Sequence, residues 1–195
     1  MSFATLLLSE RNDFISKKNQ GKIFEDNFKK SIPDYCWVKR LQDSVGTWGG
    51  NSNLRFSNNN ECDFLVFSKN THKLFAFELK STEGTSLTFW REDFEEKEKK
   101  QTFMIKKNQI LGLAEMSKFD IYAGFLINFR GEDNNTYFIH INDFLNLTKD
   151  MDKKSVNERD ILSIKNIKVE NYKLKTNYRY NIDKLFCDIL TGTYS

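Results

Sequence analysis

Apolar residues recur four apart at Phe24, Phe28 and Ile32, so residues 19–32 read as a helix with one buried stripe, closed by Pro33. Residues 35–41 are aromatic and β-branched and predict a first strand. Residues 42–60 hold three of the nine glycines among many Asn and Ser, which is loop chemistry. Two apolar strands follow at 62–67 and 74–80, joined by the polar turn 68–72. The mixed-charge run 91–100 reads as a solvated helix face. Residues 103–118 predict an amphipathic helix with Ile105, Gln109, Gly112, Leu113 and Met116 on one stripe. The nearly continuous apolar run 121–129 fits a central strand covered on both faces. A strand at 136–141, a short helix capped by Asn142, a polar break near 149–158 and a helix over 182–190 complete the series. The order α-β-β-β-α-β-β-α predicts one α/β domain over residues 1–195, with a central mixed β-sheet flanked by helices.

Three charges break this pattern. Glu78 and Lys80, two apart on a strand, project from the same face, while Phe75, Phe77 and Leu79 point the other way into a core. Asp63 interrupts the neighbouring apolar strand, and a short hairpin brings it beside Glu78. Charges at such positions are costly unless paired or bound to a metal, the alternative being an edge strand facing solvent. Two close carboxylates repel, and a hard divalent cation resolves the repulsion. Mg²⁺ accepts one or two carboxylates and leaves its other positions to water and phosphate, with Mn²⁺ as a substitute. Lys80 would orient or deprotonate the attacking water.

Composition narrows the chemistry. His72 and His140 are the only histidines and lie far apart, so a histidine-based nuclease or zinc hydrolase lacks material. Cys36, Cys62 and Cys187 show no paired spacing, which argues for reduced thiols and a cytoplasmic location rather than a disulfide framework. No stretch approaches the roughly 18 apolar residues of a membrane span, and the N-terminal apolar run is too short for a secretory signal. A net charge of +3 permits nucleic-acid binding without announcing it.

Asp63 followed by Glu78-Leu79-Lys80 resembles the core of the PD-(D/E)xK nucleases, with Cys62 where the motif has its proline. More particularly, the chain resembles the RecU Holliday junction resolvases of Gram-positive bacteria and their phages over most of its length. The matching pieces are Asn19-Gln20-Gly21-Lys22-Ile23-Phe24-Glu25, the Asp63 strand, Phe77-Glu78-Leu79-Lys80-Ser81-Thr82 and Lys107-Asn108-Gln109-Ile110. The strand 123–129, Tyr137-Phe138-Ile139 and Tyr180-Asn181-Ile182-Asp183-Lys184-Leu185 complete them. Two departures stand out. Asn58-Asn59-Asn60-Glu61-Cys62 replaces a Thr-containing stretch, and the segment 42–60 is shorter than the family's basic stalk.

The resemblance implies a restriction-endonuclease-like fold and a Mg²⁺ site of Asp63, Glu78 and the Leu79 carbonyl, in an enzyme leaving 5′-phosphate ends. It implies that Glu25 points at the site, with Gly21 letting its helix approach the sheet. Gln109, polar on an apolar stripe, would position Lys80 or a phosphate, or be a satisfied buried amide. Ser81 and Thr82 would contact phosphate or simply end the strand. Two regions are candidates for DNA contact: Lys39, Arg40 and Arg55 with Trp48 around the Gly-rich loop, and Lys173, Lys175 and Arg179 within the basic segment 163–195. The expectation is a DNA endonuclease selective for branched duplex, a four-way junction first, acting in recombination and repair. Two equivalent strands to cut call for a homodimer, and a recombinase is a further possible partner. The rivals are a restriction-like or phage nuclease on linear duplex and a non-catalytic DNA-binding or recombinase-modulating protein.

Overall fold

The computed structural model describes residues 20–41, 60–93, 103–131 and 133–194. Its element order is α1 (Gln20–Lys29), β1 (Cys36–Arg40), β2 (Phe64–Ser68), β3 (Lys73–Thr82), β4 (Ser86–Thr88), α2 (Lys107–Ser117), β5 (Tyr122–Phe129) and β6 (Asn135–His140). Then come α3 (Ile141–Lys149), β7 (Ser155–Asn157), α4 (Glu158–Leu162), β8 (Ile167–Lys168), β9 (Asn171–Lys173), β10 (Tyr178–Tyr180) and α5 (Ile182–Thr191).

A six-stranded sheet runs in the order β1-β2-β3-β5-β6-β8. Only β3 and β5 pair in parallel, and the chain between them supplies α2 as the crossover that parallel pairing requires. The expected α/β architecture, a central mixed sheet flanked by helices, is present.

Alternation along the strands divides two cores. One face carries Ala76, Phe125, Ile127 and Ile139, packed beneath Ile110 and Leu113 of α2 and Phe144 of α3. The other carries Phe64, Val66, Phe75, Phe77, Leu126 and Phe138 beneath Phe24 and Phe28 of α1 and Leu185 and Phe186 of α5. The second core is aromatic. Phe75 stacks on Phe186 with ring centroids 4.1 Å apart, and Phe28 and Phe138 meet Phe77 edge-on at 5.5 and 5.7 Å. Each fully buried Phe contributes about 1.5–3 kcal/mol. β3 and β5 are therefore both central and covered on both faces.

Several local expectations change. Asn142 does not cap α3. His140 does, its Nδ1 accepting the Asn142 N–H at 3.2 Å. The helix expected over 103–118 begins at Lys107, because Ile105 is drawn into a bridge with Phe89. The polar stretch 149–158 contains β7, which pairs with β4, and the C-terminal Lys/Tyr segment folds as the hairpin β9–β10. The loop 42–59 and most of the charged run 91–100 lie outside the described residues.

Gly21 does not serve close packing, since a Cβ there would meet nothing within 4 Å. Gly124 does, because a Cβ there would stand 2.2 Å from the Ile139 carbonyl oxygen and 2.7 Å from the Phe138 ring. The two glycines should respond to alanine with opposite signs. Gly124→Ala is expected to destabilise by roughly 3 kcal/mol, an overpacking cost against backbone. Gly21→Ala should stabilise by up to about 1 kcal/mol through helix propensity. Urea midpoints at unchanged m-value measure both.

Candidate active site

The β2–β3 ladder ends at the pair Phe64–Phe77, so Asp63 stands one step beyond it, level with Glu78. There the Asp63 N–H donates to the Phe77 carbonyl at 3.0 Å, and the Leu79 N–H donates to Asp63 Oδ2 at 2.8 Å. The carboxylate thus takes the amide that a longer β2 would have taken. A strand residue presents its N–H and C=O to the same side, so the Leu79 carbonyl also faces the Asp63 edge.

Glu78 lies on the α2-facing side of β3, 2% exposed among apolar neighbours. Its Oε1 accepts from Lys80 Nζ at 2.7 Å and from Gln109 Nε2. Among the described residues both bonds fall on Oε1. Gln109 is itself held, its Oε1 accepting the Lys106 N–H at 2.9 Å at the start of α2. Its amide therefore joins the helix N-terminus to the Glu78 carboxylate. Of the roles open to Gln109 in the sequence, positioning Lys80 or a phosphate or being a satisfied buried amide, the structure shows the amide buried with both ends hydrogen-bonded, Nε2 to Glu78 and Oε1 from the Lys106 N–H.

Glu25 approaches from α1 and forms an ion pair with Arg40 at the end of β1. Burial is the main cause that raises its carboxyl above the ordinary range. The Asp63 charge adds to the rise, and Arg40 opposes it. Burial likewise pushes Glu78 up to about 8, with Lys80 working against the rise and the charges of Asp63 and Glu25 adding to it. Glu25, Asp63 and Glu78 therefore lie close enough to raise one another electrostatically.

The remaining sequence candidates divide. Arg40 directs its guanidinium inward at Glu25, with Asp26 3.9 Å away, rather than outward at a phosphate. Thr82 is buried, and its Oγ1 accepts the Gly84 N–H at 2.9 Å in a turn. Ser81 lies on the opposite face from Glu78, donating to Asn128 Oδ1 and accepting from Arg130 Nη1, both at 2.9 Å. Phosphate contact through these three is therefore not favoured by their surroundings. Lys39 is exposed on β1, and Lys173 and Lys175 are exposed on the hairpin, where Arg179 is half-buried opposite Tyr172. Trp48 and Arg55 lie outside the described residues. The sequence did not single out the Asn108 amide, which donates to the Asn60 carbonyl at 2.6 Å. Its signal in the sequence is its place in the matching piece Lys107-Asn108-Gln109-Ile110.

Among the described residues no group of three or more His, Cys, Asp or Glu is placed to hold a metal ion. The expected set is smaller: two carboxylates and one main-chain carbonyl. These are hard oxygen donors, and a divalent cation would offset both the burial of the Glu78 charge, the main cause of its raised pKa, and the smaller repulsion from Asp63 and Glu25. The donor chemistry fits Mg²⁺ or Mn²⁺. No helix among the described residues is long and apolar enough to cross a membrane.

No family model matches the chain. The SPbeta prophage-derived protein YotM of Bacillus subtilis is 35% identical over 185 residues, spanning 88% of this chain and 87% of that protein. Among solved structures, Hjc of Archaeoglobus fulgidus, a Holliday junction resolvase, aligns over 67% of this chain and 81% of its own. That alignment has 12% identity and a TM-score of 0.35, too distant to bear on function.

The Glu78 carboxyl gives a pH test of the site. Its folded value of about 8 lies above the ordinary 4.5, so between those values the folded chain holds a proton that the unfolded chain has released. The stability from this group is complete below about 4.5 and is lost as pH rises through about 8. Each unit of separation corresponds to about 1.4 kcal/mol. With EDTA present, urea denaturation from pH 5 to 9 should show the wild type losing stability relative to Glu78→Gln. A constant difference would mean that Glu78 ionises as if exposed.

Proposed function

We propose that this chain, which belongs to the same family as the SPbeta prophage protein YotM, is a metal-dependent DNA endonuclease selective for branched duplex, with the four-way junction as its first substrate. One observation carries the proposal. Glu78, 2% exposed on a central strand, is held by Lys80 and Gln109 and stands level with Asp63 at the end of β2. A stable fold has no need of so many charges at that position. The order of motif pieces shared with the RecU resolvases supports the same assignment.

Asp63, Glu78 and the Leu79 carbonyl would hold the cation. When bound, it lowers the pKa of its water and offsets charge on the phosphate. Lys80, with its ammonium 2.7 Å from Glu78 Oε1, orients the attacking water and stabilises the charge that develops on the phosphoryl oxygens. Gln109 keeps Glu78 in its conformation, and the Glu25–Arg40 pair limits the negative charge beside Asp63. In-line attack that breaks the P–O3′ bond leaves a 5′-phosphate and a religatable 3′-hydroxyl. A junction resolved by paired nicks needs two such sites, which a two-fold homodimer supplies.

The test incubates a synthetic four-way junction, linear duplex and supercoiled plasmid with Mg²⁺, Mn²⁺ or EDTA. The junction should be cut only with metal, and Asp63→Asn or Glu78→Gln should lower the rate about 10²-fold or more. Equal cutting of linear duplex would favour the restriction-like alternative. Binding without cleavage in either metal would replace the enzyme with a DNA-binding protein.

Lys80→Ala should lower turnover by about 10²-fold while retaining metal affinity in calorimetry at pH 9. The higher pH matters because removing Lys80 takes away the charge that opposes the rise at Glu78. Loss of affinity with an unchanged rate would contradict its role.

Neutralising Lys173, Lys175 and Arg179 together should weaken binding to all DNA sequences. The slope of log K against log salt should fall by about two to three units. An unchanged slope would remove the β9–β10 hairpin from the interface.

A further inference from the structure

The start of α2 meets both β3 and the segment that leads to Asp63. Gln109 reaches Glu78, and its neighbour Asn108 donates to the Asn60 carbonyl at 2.6 Å, three residues before Asp63. One turn further, Gly112 is buried in the helix interior. A Cβ there would stand 2.4 Å from Glu61 Cβ, 2.5 Å from Cγ and 2.9 Å from Cδ. Those atoms include the one nearest the Glu61 backbone, so a rotamer change alone cannot clear them. Glycine is among the poorest residues for a helix interior, and this close approach supplies the reason for it.

Residues 60–62 belong to no strand, and Cys62 is fully buried in the core beneath α2. Asp63 is then secured by three hydrogen bonds. Its N–H reaches the Phe77 carbonyl, the Leu41 N–H reaches its carbonyl at 2.9 Å, and the Leu79 N–H reaches its carboxylate at 2.8 Å. The approach to these bonds is set from one side by α2.

We infer that Asn108 and Gly112 are positioning residues for Asp63. Clearance at Gly112 lets Glu61 lie against the helix, and Asn108 latches the carbonyl of the residue before it. The same two turns therefore place both carboxylates, Glu78 through Gln109 and Asp63 through the segment 60–62. The catalytic meaning of this arrangement rests on the nuclease proposal, but the placement of Asp63 is measurable without it.

The Leu79 amide reports that placement, because its hydrogen bond ends on the Asp63 carboxylate. Amide exchange is measured by NMR on the full chain for the wild type, Asn108→Ala, Gly112→Ala, Glu61→Gly and the double variant Gly112→Ala/Glu61→Gly. Gly112→Ala should speed Leu79 exchange about tenfold or more, while the amides of Phe125 and Ile127 in β5 keep their protection. Asn108→Ala should act in the same direction by a smaller factor. The double variant should return to the Glu61→Gly value, since the glycine removes the Cβ that the alanine meets. In cleavage assays Gly112→Ala should lower kcat with little change in KM for the junction.

Unchanged Leu79 exchange in Gly112→Ala would overturn the inference. So would equal loss of protection throughout the sheet that Glu61→Gly fails to repair, because that pattern means general destabilisation. If the exchange pattern holds while the wild type neither binds metal nor cuts, the nuclease proposal fails and the positioning role stands.

Discussion

The structure turns on one buried carboxylate. Glu78 occupies a position on β3 whose strand neighbours are Phe77 and Leu79, and whose partner on β5 is Phe125. Desolvation there is large enough to carry its pKa to about 8 despite an ammonium at 2.7 Å and an amide donor. Pairing with Lys80 does not repay that burial, as is common for ion pairs taken into low dielectric. Asp63 and Glu25 add further repulsion. A sequence optimised for stability alone would place an apolar residue at this point, and the aromatic core on the other face of β3 offsets the cost.

The end of a strand supplies the rest of the site. Because β2 stops at Phe64, the main chain of β3 beyond Phe77 has lost its ladder partner on that side. Asp63 fills the place with a side chain instead of a peptide group, accepting the Leu79 N–H. One carboxylate is thereby anchored to the backbone of the residue next to the other. Gln109 plays an analogous double part, accepting the N–H of Lys106 just before α2 and giving its own N–H to Glu78. Both contacts join elements distant in sequence, with separations of 16 and 31 residues, so the site forms only when the sheet and its crossover helix are assembled.

Much of this was legible in the chain. Alternation on 74–80 separated Phe75 and Phe77 from Glu78 and Lys80, and that separation holds in the two cores. A polar Gln109 on an apolar stripe pointed at the sheet, and the hairpin 62–80 put Asp63 level with Glu78. What escaped depends on non-local partners. Nothing in the segment of Arg40, a candidate for DNA contact, reveals that Glu25 comes beside it. The glycine expected to bring a helix close was Gly21, whereas Gly112 is the one in contact, because the decisive neighbour, Glu61, lies 51 residues away. Strands of two or three residues such as β4, β7 and β8 carry too few alternations to show a period.

Charge balance connects the site to its proposed substrate. Glu25, Asp63 and Glu78 face Arg40 and Lys80, so full ionisation leaves an excess negative charge in a poorly solvated space. Without a cation the cheapest relief is a proton on Glu78, the state that its raised pKa describes. Bringing a DNA phosphate to the same place would worsen the excess, so an empty site repels the group it is proposed to cleave. A divalent cation held by Asp63 and Glu78 would reverse both effects, since Glu78 could then ionise and the phosphate would have a positive partner. Metal and phosphate should therefore bind with positive coupling at this site, each improving the affinity of the other by the same factor. The exposed Lys173 and Lys175 of the β9–β10 hairpin, proposed to contact the duplex, lie outside this balance.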